Sequence, residues 1–430
     1  MSGERLPGAG GDGGDGDGAA PVVLHVDTDC FYASCERLRD PSLVGEPVVV
    51  GMGYEAGTDH GAVATASYEA RERGVESAQP ITEALERLPR REDGDAGAET
   101  TGHYLPVDMA FYEAVADDVK EILHDCADVV REVSIDEAYL DVTERTGWSR
   151  VDGGDRTLAE GYARHVKERI EREVGVPASV GVAPTMSAAK VASDHDKPDG
   201  LVVVEPGEVR EFFAPLPVEA VHGVGPVTAD ELAELGIETA GDLAAADPAT
   251  LRERFGSRGR TMYDRARGVD DRTVTPRGRP KSLSRESAFT DPTDDPERMR
   301  ETVRALAADV AERARSKEAL YRTIGLKVVT PPFDVNTRER SLPGPVDEPS
   351  LVTDVALDLL REFEDDRVRK LGVRVSNLSF TDAEQASLDG WEDDAADAEE
   401  VDATPGPRRQ GRGQARLSSF DRSGQNEEGG

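Results

Sequence analysis

The apolar and polar positions of the chain follow two different periods, which predict strands in some segments and helices in others. Residues 22–27 (VVLHVD), 47–51 (PVVVG) and 178–183 (ASVGVA) are apolar, β-branched runs typical of buried strands. Residues 110–127 instead carry apolar side chains at helical spacing, at Phe111, Val115, Val119, Ile122 and Leu123. Strands that alternate with helices in this way predict an α+β fold with a central sheet.

The pattern changes along the chain and divides it into regions. Residues 208–275 show short helical segments, and residues 281–380 mix strand-like pieces with two helical ones. Residues 1–20 are rich in Gly and Asp, and residues 381–402 contain ten acidic residues and no basic one. Such composition cannot bury enough apolar surface to fold, so both ends are predicted to be disordered.

The charge of the chain is extreme, with 51 basic and 87 acidic residues and a net charge of −36 over 430 residues. Only eight of the basic residues are lysine. A dispersed acidic excess is typical of proteins kept soluble in a very salty cytoplasm, although composition alone equally fits an acidic protein that avoids nucleic acid.

The cysteines and the apolar runs narrow the class of protein further. Cys30, Cys35 and Cys126 have no C-x-x-C spacing, which favours a reducing cytoplasm over a disulfide framework or a zinc site. No apolar run approaches the ~20 residues of a membrane span. A cytoplasmic protein is therefore expected.

Acidic residues stand at the ends of two predicted strands. Asp27 ends the first apolar run, and Asp136 and Glu137 are adjacent in SIDEAYLD. Neighbours in a strand point to opposite faces, so Asp136 and Glu137 converge only near a turn. Carboxylates from two strand ends can surround Mg²⁺, which prefers oxygen ligands. The alternative is that such acids cap helices or sit on solvated edges; for Asp29 we expect this role, as the N-cap of the following helix.

Five segments, in this order, resemble the Y-family DNA polymerases of the DNA polymerase IV group. They are HVDTDCFYASCE, AVATASYEARERGV, SIDEAYLDVT, DKPDGL and VHGVGPVTADELAELGI, and the resemblance covers roughly residues 22–380. It implies a right-handed polymerase that copies damaged templates with low fidelity and no proofreading domain. By position it also implies the following domains: palm in 21–30 and 108–204, fingers in 31–107, thumb with a helix-hairpin-helix in 205–275, linker and little finger in 276–380, and an acidic tail in 381–430.

The resemblance assigns roles around the acids. Asp27, Asp136 and Glu137, with the backbone carbonyl of Thr28, match the catalytic set that holds two Mg²⁺ ions, Glu137 holding the ion nearer the primer 3′-hydroxyl. Tyr32 matches the steric gate, a ring that collides with a ribose 2′-hydroxyl and so selects dNTPs. The alternative for Tyr32 is core packing.

Further positions match nucleotide and DNA contacts. The resemblance assigns triphosphate binding to Thr65, Tyr68, Arg71 and Lys197. Tyr68 and Arg71 are three residues apart and so share a helical face, with Thr65 one turn earlier; a solvated helix is the alternative. Gly223 and Gly225 permit a tight turn whose backbone N–H groups can bind a DNA phosphate, although an ordinary αα-hairpin fits the same pattern.

Two features suggest how the chain is held on DNA. Residues 281–380 contain 17 basic and 19 acidic residues, so this region is nearly neutral within a very acidic chain. That fits a surface that follows the DNA backbone, and solvated charge patterning is the alternative. Near the end of the chain, Gln414, Leu417 and Phe420 have the spacing of sliding-clamp-binding peptides, with Asp421 in place of the usual second aromatic.

The sequence therefore predicts a monomeric, cytoplasmic DNA-directed DNA polymerase with primer-template DNA, dNTPs and a sliding clamp as partners. Another palm-type nucleotidyl transferase, such as a nucleotide cyclase, would explain the acids but not the hairpin or residues 281–380. A non-catalytic scaffold tethered to a clamp would explain the DNA contacts but not the intact acids.

Overall fold

The computed structural model describes residues 20–91, 101–151 and 154–380. These residues form two compact units, the first ending at Gly278 and the second beginning at Arg279. The segments predicted to be disordered, 1–20 and 381–430, lie outside the described residues apart from Ala20. No helix within the described ranges is long and apolar enough to cross a membrane.

The first unit contains eight strands among its described residues. They are β1 (Val23–Thr28), β2 (Val48–Met52), β3 (Ala62–Ala66), β4 (His103–Pro106), β5 (Val129–Glu132), β6 (Glu137–Asp141), β7 (Ala178–Ala183) and β8 (Leu201–Val203). Five of them form a sheet in the order β5-β6-β1-β7-β8, and the other three form a sheet in the order β3-β2-β4.

Eleven α-helices accompany these strands in the described part of the first unit. They are α1 (Phe31–Arg39), α2 (Tyr68–Arg71), α3 (Ile81–Arg87), α4 (Met109–Cys126), α5 (Leu158–Glu173), α6 (Met186–His195), α7 (Val209–Phe213), α8 (Pro226–Ala233), α9 (Ala240–Ala245), α10 (Pro248–Phe255) and α11 (Ser257–Ala266). The last five are short, as the sequence predicted for residues 208–275.

The five-stranded sheet has two differently covered faces. Leu24 and Val26 of β1 are buried in a core shared with α4 and α5. Because successive side chains of a strand alternate between faces, His25 and Asp27 point to the opposite face, where both contact α6. The period of two therefore places an acid of the first apolar run beneath a helix.

A glycine sets the distance between α6 and this sheet. A Cβ at Gly181 in β7 would collide with the backbone of Ala189 and Ser193 in α6. The helix therefore packs directly on the strand backbone, which no larger residue would permit. This close approach brings the side chains of α6 within reach of β1 and β6.

The second unit is a sheet covered on one face by two helices, and the pattern of residues 281–380 had predicted strand-like pieces and two helical ones. Its elements are β9 (Ser282–Thr293), α12 (Pro296–Ser316), β10 (Ala319–Thr330), β11 (Asp334–Val346), α13 (Pro349–Leu360), β12 (Val368–Ser376) and β13 (Ser379–Phe380). The strand order is β11-β10-β12-β9, with β13 paired to β10. Met299 and Val303 of α12 and Val352 and Leu360 of α13 are buried against the sheet.

The predicted α+β class is confirmed, and two local predictions are wrong. Asp29 does not cap α1: the N-cap residue is Cys30, in a left-handed conformation with φ 41°, and it makes no side-chain cap bond. Thr65 does not lie on a helix with Tyr68, because it belongs to β3 and pairs with Val50 of β2. In both cases hydrogen bonds to distant segments replace the local ones that the pattern suggested.

Candidate active site

Two of the predicted acids face each other across neighbouring strands. Asp27 of β1 pairs in register with Glu137, the first residue of β6. The Lys190 ammonium of α6 lies between them, 3.1 Å from Asp27 Oδ2 and 2.8 Å from Glu137 Oε2. Lys197, in the loop after α6, places its Nζ 2.7 Å from Asp27 Oδ1. The acids therefore form a partly buried cluster whose negative charge two lysines compensate in part.

A buried histidine completes this cluster. His25 is fully buried, its Nδ1 lies 2.8 Å from Ser193 Oγ, and its Nε2 lies 3.5 Å from Glu137 Oε2. Burial lowers the pKa of His25, so the ring is neutral at neutral pH. Donor atoms of His25, Asp27 and Glu137 lie within 4.8 Å of one another, an arrangement that could hold a metal ion.

Asp136 lies just before β6, at the turn that the sequence required. Its backbone carbonyl accepts hydrogen bonds from the N–H and the hydroxyl of Thr28, at 2.9 and 2.8 Å. Its carboxylate accepts a hydrogen bond from Ser134 Oγ at 2.5 Å and is not part of the compact donor group around His25. The turn thus ties Asp136 to the end of β1.

The environments of the two adjacent acids push their pKa values apart. Burial, together with the charge of Asp27, raises the pKa of Asp136 to about 6. Burial would also raise the pKa of Glu137, but its contacts with His25 and Lys190 outweigh burial and hold the pKa well below its usual range. Glu137 is therefore ionised at neutral pH, and Asp136 gives up its proton less readily.

Tyr32 lies beside these acids in the first turn of α1. Its ring stacks on Tyr112 of α4, with centroids 4.6 Å apart and planes at 14°. Burial and the nearby charge of Asp136 raise the pKa of Tyr32 to about 12. The side chain is half-buried, so it both packs against the core and borders the acid cluster.

Tyr68 and Arg71 share one face of α2, as their spacing predicted. The Arg71 guanidinium lies over the Tyr68 ring, 4.7 Å from its centroid, and its Nε donates to the carbonyl of Ala66 at 2.9 Å. The Tyr68 hydroxyl donates to Asp29 Oδ1 at 3.0 Å. The stacked pair is thereby fixed to the end of β1.

Gly223 and Gly225 form the turn before α8, and the 3₁₀ helix Val218–Ala220 precedes it. Gly223 has a φ of +96°, and the Arg265 guanidinium donates to the preceding carbonyl of His222 at 2.8 Å. The N–H groups of Gly223 and Gly225 have no partner within the described part of the chain. They are consistent with a hairpin that offers free donors to a phosphate.

Three family models match this chain. The impB/mucB/samB family model matches residues 26–194, the model of its C-terminal domain matches residues 280–389, and the IMS family HHH motif matches residues 206–237. The DNA polymerase IV of Halobacterium salinarum is 61% identical over 394 residues, covering 91% of this chain and 92% of that protein.

The chain belongs to the DNA polymerase IV group of the Y-family DNA polymerases. The DNA polymerase IV of Methanoculleus marisnigri is 42% identical over 369 residues, covering 86% of this chain and 97% of that protein.

Solved structures of the family agree with the fold. A Y-family DNA polymerase chimera has a TM-score of 0.72 at 29% identity, covering 84% of this chain and all of that chain. An insertion ternary complex of Dbh DNA polymerase has a TM-score of 0.57 at 28% identity, with the same coverage.

Some of the predicted site residues lie outside the part of the chain that the structure describes. Gln414, Leu417 and Phe420, the predicted clamp-binding residues, lie outside the described residues. The remaining predicted positions lie in two groups, since Gly223 and Gly225 belong to the hairpin and the others surround or adjoin the end of β1.

Sequence reasoning assigned no role to several residues that contact the acids. They are His25, Ser134 and Lys190; Asp194, which was also assigned no role, contacts the lysines instead and lies 3.0 Å from Lys197 Nζ. The scarcity of lysine was a usable signal for Lys190, because two of only eight lysines lie in the short stretch of residues 190–197. Nothing in the local sequence marked His25 or Ser134.

Proposed function

We propose that this chain extends a DNA primer past damaged template bases, with the chemistry at Asp27, Asp136 and Glu137. Family membership supports the reaction class, DNA-directed DNA polymerase with low fidelity and no proofreading. The observation that supports this location is the pairing of Asp27 with Glu137, with Lys190 and Lys197 both in contact with Asp27. The cluster concentrates negative charge at the end of a sheet, beside the half-buried Tyr32.

The donor set fits divalent cations. The three carboxylates, with the carbonyl of Thr28, are oxygen donors of the kind that Mg²⁺ prefers. Asp27 and Glu137 already hold two ammonium groups, which indicates that the cluster needs compensating positive charge. We propose that these four residues hold two Mg²⁺ ions, which supply an activated primer hydroxyl and charge compensation for the leaving pyrophosphate.

The surrounding residues bind and orient the nucleotide in this proposal. Arg71, stacked on Tyr68, and Lys197, in contact with Asp27, offer positive charge to the triphosphate. Thr65 of β3 is next to Ala66, whose carbonyl accepts a hydrogen bond from Arg71, and in this proposal it contacts the triphosphate beside Arg71. Tyr32, braced by its stacking on Tyr112, excludes a ribose 2′-hydroxyl.

The domain roles follow the same assignment. We propose that residues 21–30 and 108–204 act as palm, 31–107 as fingers, 205–275 as thumb and 276–380 as linker and little finger. The free N–H groups of Gly223 and Gly225 would bind a DNA phosphate without reading sequence. Residues 414–420 would attach the polymerase, a cytoplasmic monomer, to a sliding clamp.

Primer extension on a gapped template tests the location of the chemistry. Asp136→Ala and Glu137→Ala should each reduce extension by more than roughly a hundredfold, since even residues that only orient metal ligands contribute up to about that much. DNA binding should be nearly unchanged, because these acids hold metal rather than phosphate. Asp141→Ala, at the other end of β6, is the matched control. Near-normal extension by Asp136→Ala or Glu137→Ala would overturn the assignment.

A further inference from the structure

One buried carboxylate beside the cluster is hydrogen-bonded to three separate segments of the chain. Asp29 is 1% exposed. Its Oδ1 accepts from the Tyr68 hydroxyl at 3.0 Å and from Ser179 Oγ at 2.9 Å, and its Oδ2 accepts from the backbone N–H of Asp199 at 2.8 Å. These donors come from α2, from β7 and from the loop between α6 and β8.

Two of these segments carry the positive charges assigned to the triphosphate. Tyr68 supports the Arg71 guanidinium on its ring, and Asp199 lies two residues after Lys197. The third donor belongs to the sheet itself, since Ser179 pairs in register with Asp27 and its hydroxyl also accepts from the N–H of Gly200 at 3.1 Å. Asp29 thus joins both charged segments to the strands that hold the cluster.

We propose that Asp29 is a positioning residue for the incoming nucleotide, holding Arg71 and Lys197 at one spacing through Tyr68 and Asp199. The inference rests on the proposed function of the neighbouring cluster. Asp29 itself touches no substrate, because its side chain is buried and both of its oxygens already accept hydrogen bonds. The phenolic proton of Tyr68 is donated to Asp29, so Tyr68 acts through its ring and not as a donor to the triphosphate.

A carboxylate suits this position better than its amide. Three donors converge on Asp29, and an asparagine would turn an NH₂ group toward at least one of them. Asp29→Asn therefore keeps the volume of the side chain but replaces at least one of the three hydrogen bonds with two donors that face each other. The charged side chains that it positions contact the triphosphate before and during the reaction, so their displacement weakens ground-state and transition-state binding alike.

The test is single-nucleotide insertion by the full chain on a primed template, with kcat and KM measured for each of the four dNTPs. Asp29→Asn should raise KM roughly tenfold with kcat changed less than about threefold, the pattern of lost uniform binding. The rise should be equal for all four bases, because the affected contacts are with the triphosphate. Asp141→Asn, which also loses a carboxylate bonded to a backbone N–H and a hydroxyl, should leave KM unchanged.

Double substitution separates positioning from general loss of structure. Tyr68→Phe removes one donor to Asp29, so Asp29→Asn combined with Tyr68→Phe should raise KM less than the product of the two single effects. Should Asp29→Asn fail to fold, Ser179→Ala and Tyr68→Phe decide instead, and each should raise KM with kcat near that of the unaltered chain. A folded Asp29→Asn protein with unchanged KM, a loss confined to kcat, or fully multiplicative effects would each overturn the proposal.

The Asp136→Ala variant in the same assay separates the proposed location of the chemistry from the positioning role of Asp29. If Asp136→Ala extends primers normally, the proposed location of the chemistry is wrong. If Asp136→Ala is inactive and Asp29→Asn has an unchanged KM, only the positioning role of Asp29 is wrong.

Discussion

Replacing Lys190 with methionine should make the stability of the protein depend on divalent cations. The Lys190 ammonium contacts Asp27 and Glu137, and its side chain is 23% exposed. Burial would lower the pKa of Lys190, but the two acids outweigh burial and raise it, so the ammonium is charged. Methionine retains an unbranched apolar stem but removes this charge, which leaves Asp27 and Glu137 facing each other with less compensation.

The structure sets the size of the effect. At an effective dielectric constant of about 20, a pair of charges near 3 Å attracts by roughly 5 kcal/mol, and desolvation of the groups offsets much of this. Removing one partner of a buried ion pair costs about 3–5 kcal/mol. Because Lys197 still contacts Asp27 at 2.7 Å, we expect the lower end, a loss of about 3 kcal/mol in the free energy of unfolding.

Urea unfolding in molar KCl at neutral pH, first with EDTA and then with MgCl₂, measures this loss in the free energy of unfolding. Mg²⁺ at one hundred times its dissociation constant would restore about 2.7 kcal/mol. Mg²⁺ should therefore stabilise Lys190→Met more than the unaltered chain, in which Lys190 already compensates the acids. Lys120→Met, which breaks partly exposed ion pairs with Asp117 of α4 and Glu132 of β5, is the control and should lose less than about 1 kcal/mol. Equal stability of Lys190→Met and the unaltered chain in EDTA would refute the reasoning.

Three further predictions concern selectivity, pH and salt. Tyr32→Ala should raise rNTP incorporation far more than it lowers dNTP incorporation; an unchanged discrimination ratio would make Tyr32 a packing residue only. Because burial raises the pKa of Asp136 to about 6, its contribution to stability is complete below the unfolded value near 4 and is lost as pH rises through 6. Metal-free Asp136→Asn should thus be more stable than the unaltered chain above pH 6 but not at pH 4, as thermal unfolding can show. With a net charge of −36, folding and primer extension should both need molar salt to screen repulsion, whereas full activity and a folded circular dichroism spectrum at ~0.05 M would contradict this.

The strands and the position of the acids were predictable because their signals are local. A β-branched run that ends in an acid predicts both a buried strand and its end, and β1 lies where residues 22–27 indicated, while β6 lies within the SIDEAYLD segment. Because side chains alternate along β1, Asp27 lies on the same face of the sheet as His25, the face that α6 covers. A turn before Glu137 was also predictable, since two adjacent acids converge only there.

The misjudged residues have their partners far away in sequence. Asp29 was expected to cap the helix that follows it, but its donors are 39, 150 and 170 residues away. Thr65 belongs to a strand because β2 pairs with it, and a period of three or four residues could not distinguish that from the start of a helix. Local propensity is overridden in both places by hydrogen bonds that only the folded chain supplies.

The sequence by itself determined the fold class, the order of the elements, the family and where the three acids lie relative to the strands, because apolar periodicity and contiguous motifs are written along the chain. The tertiary structure alone decided which groups surround those acids. Gly181 lets α6 lie directly on the sheet, and this contact carries Lys190 to Asp27 and Glu137 across 163 and 53 residues. Charges and hydrogen bonds act over a few ångströms in space, whatever the separation of the residues in sequence. The shifted pKa values of Asp136 and Glu137 and the three hydrogen bonds to Asp29 therefore exist only once the strands and helices are packed.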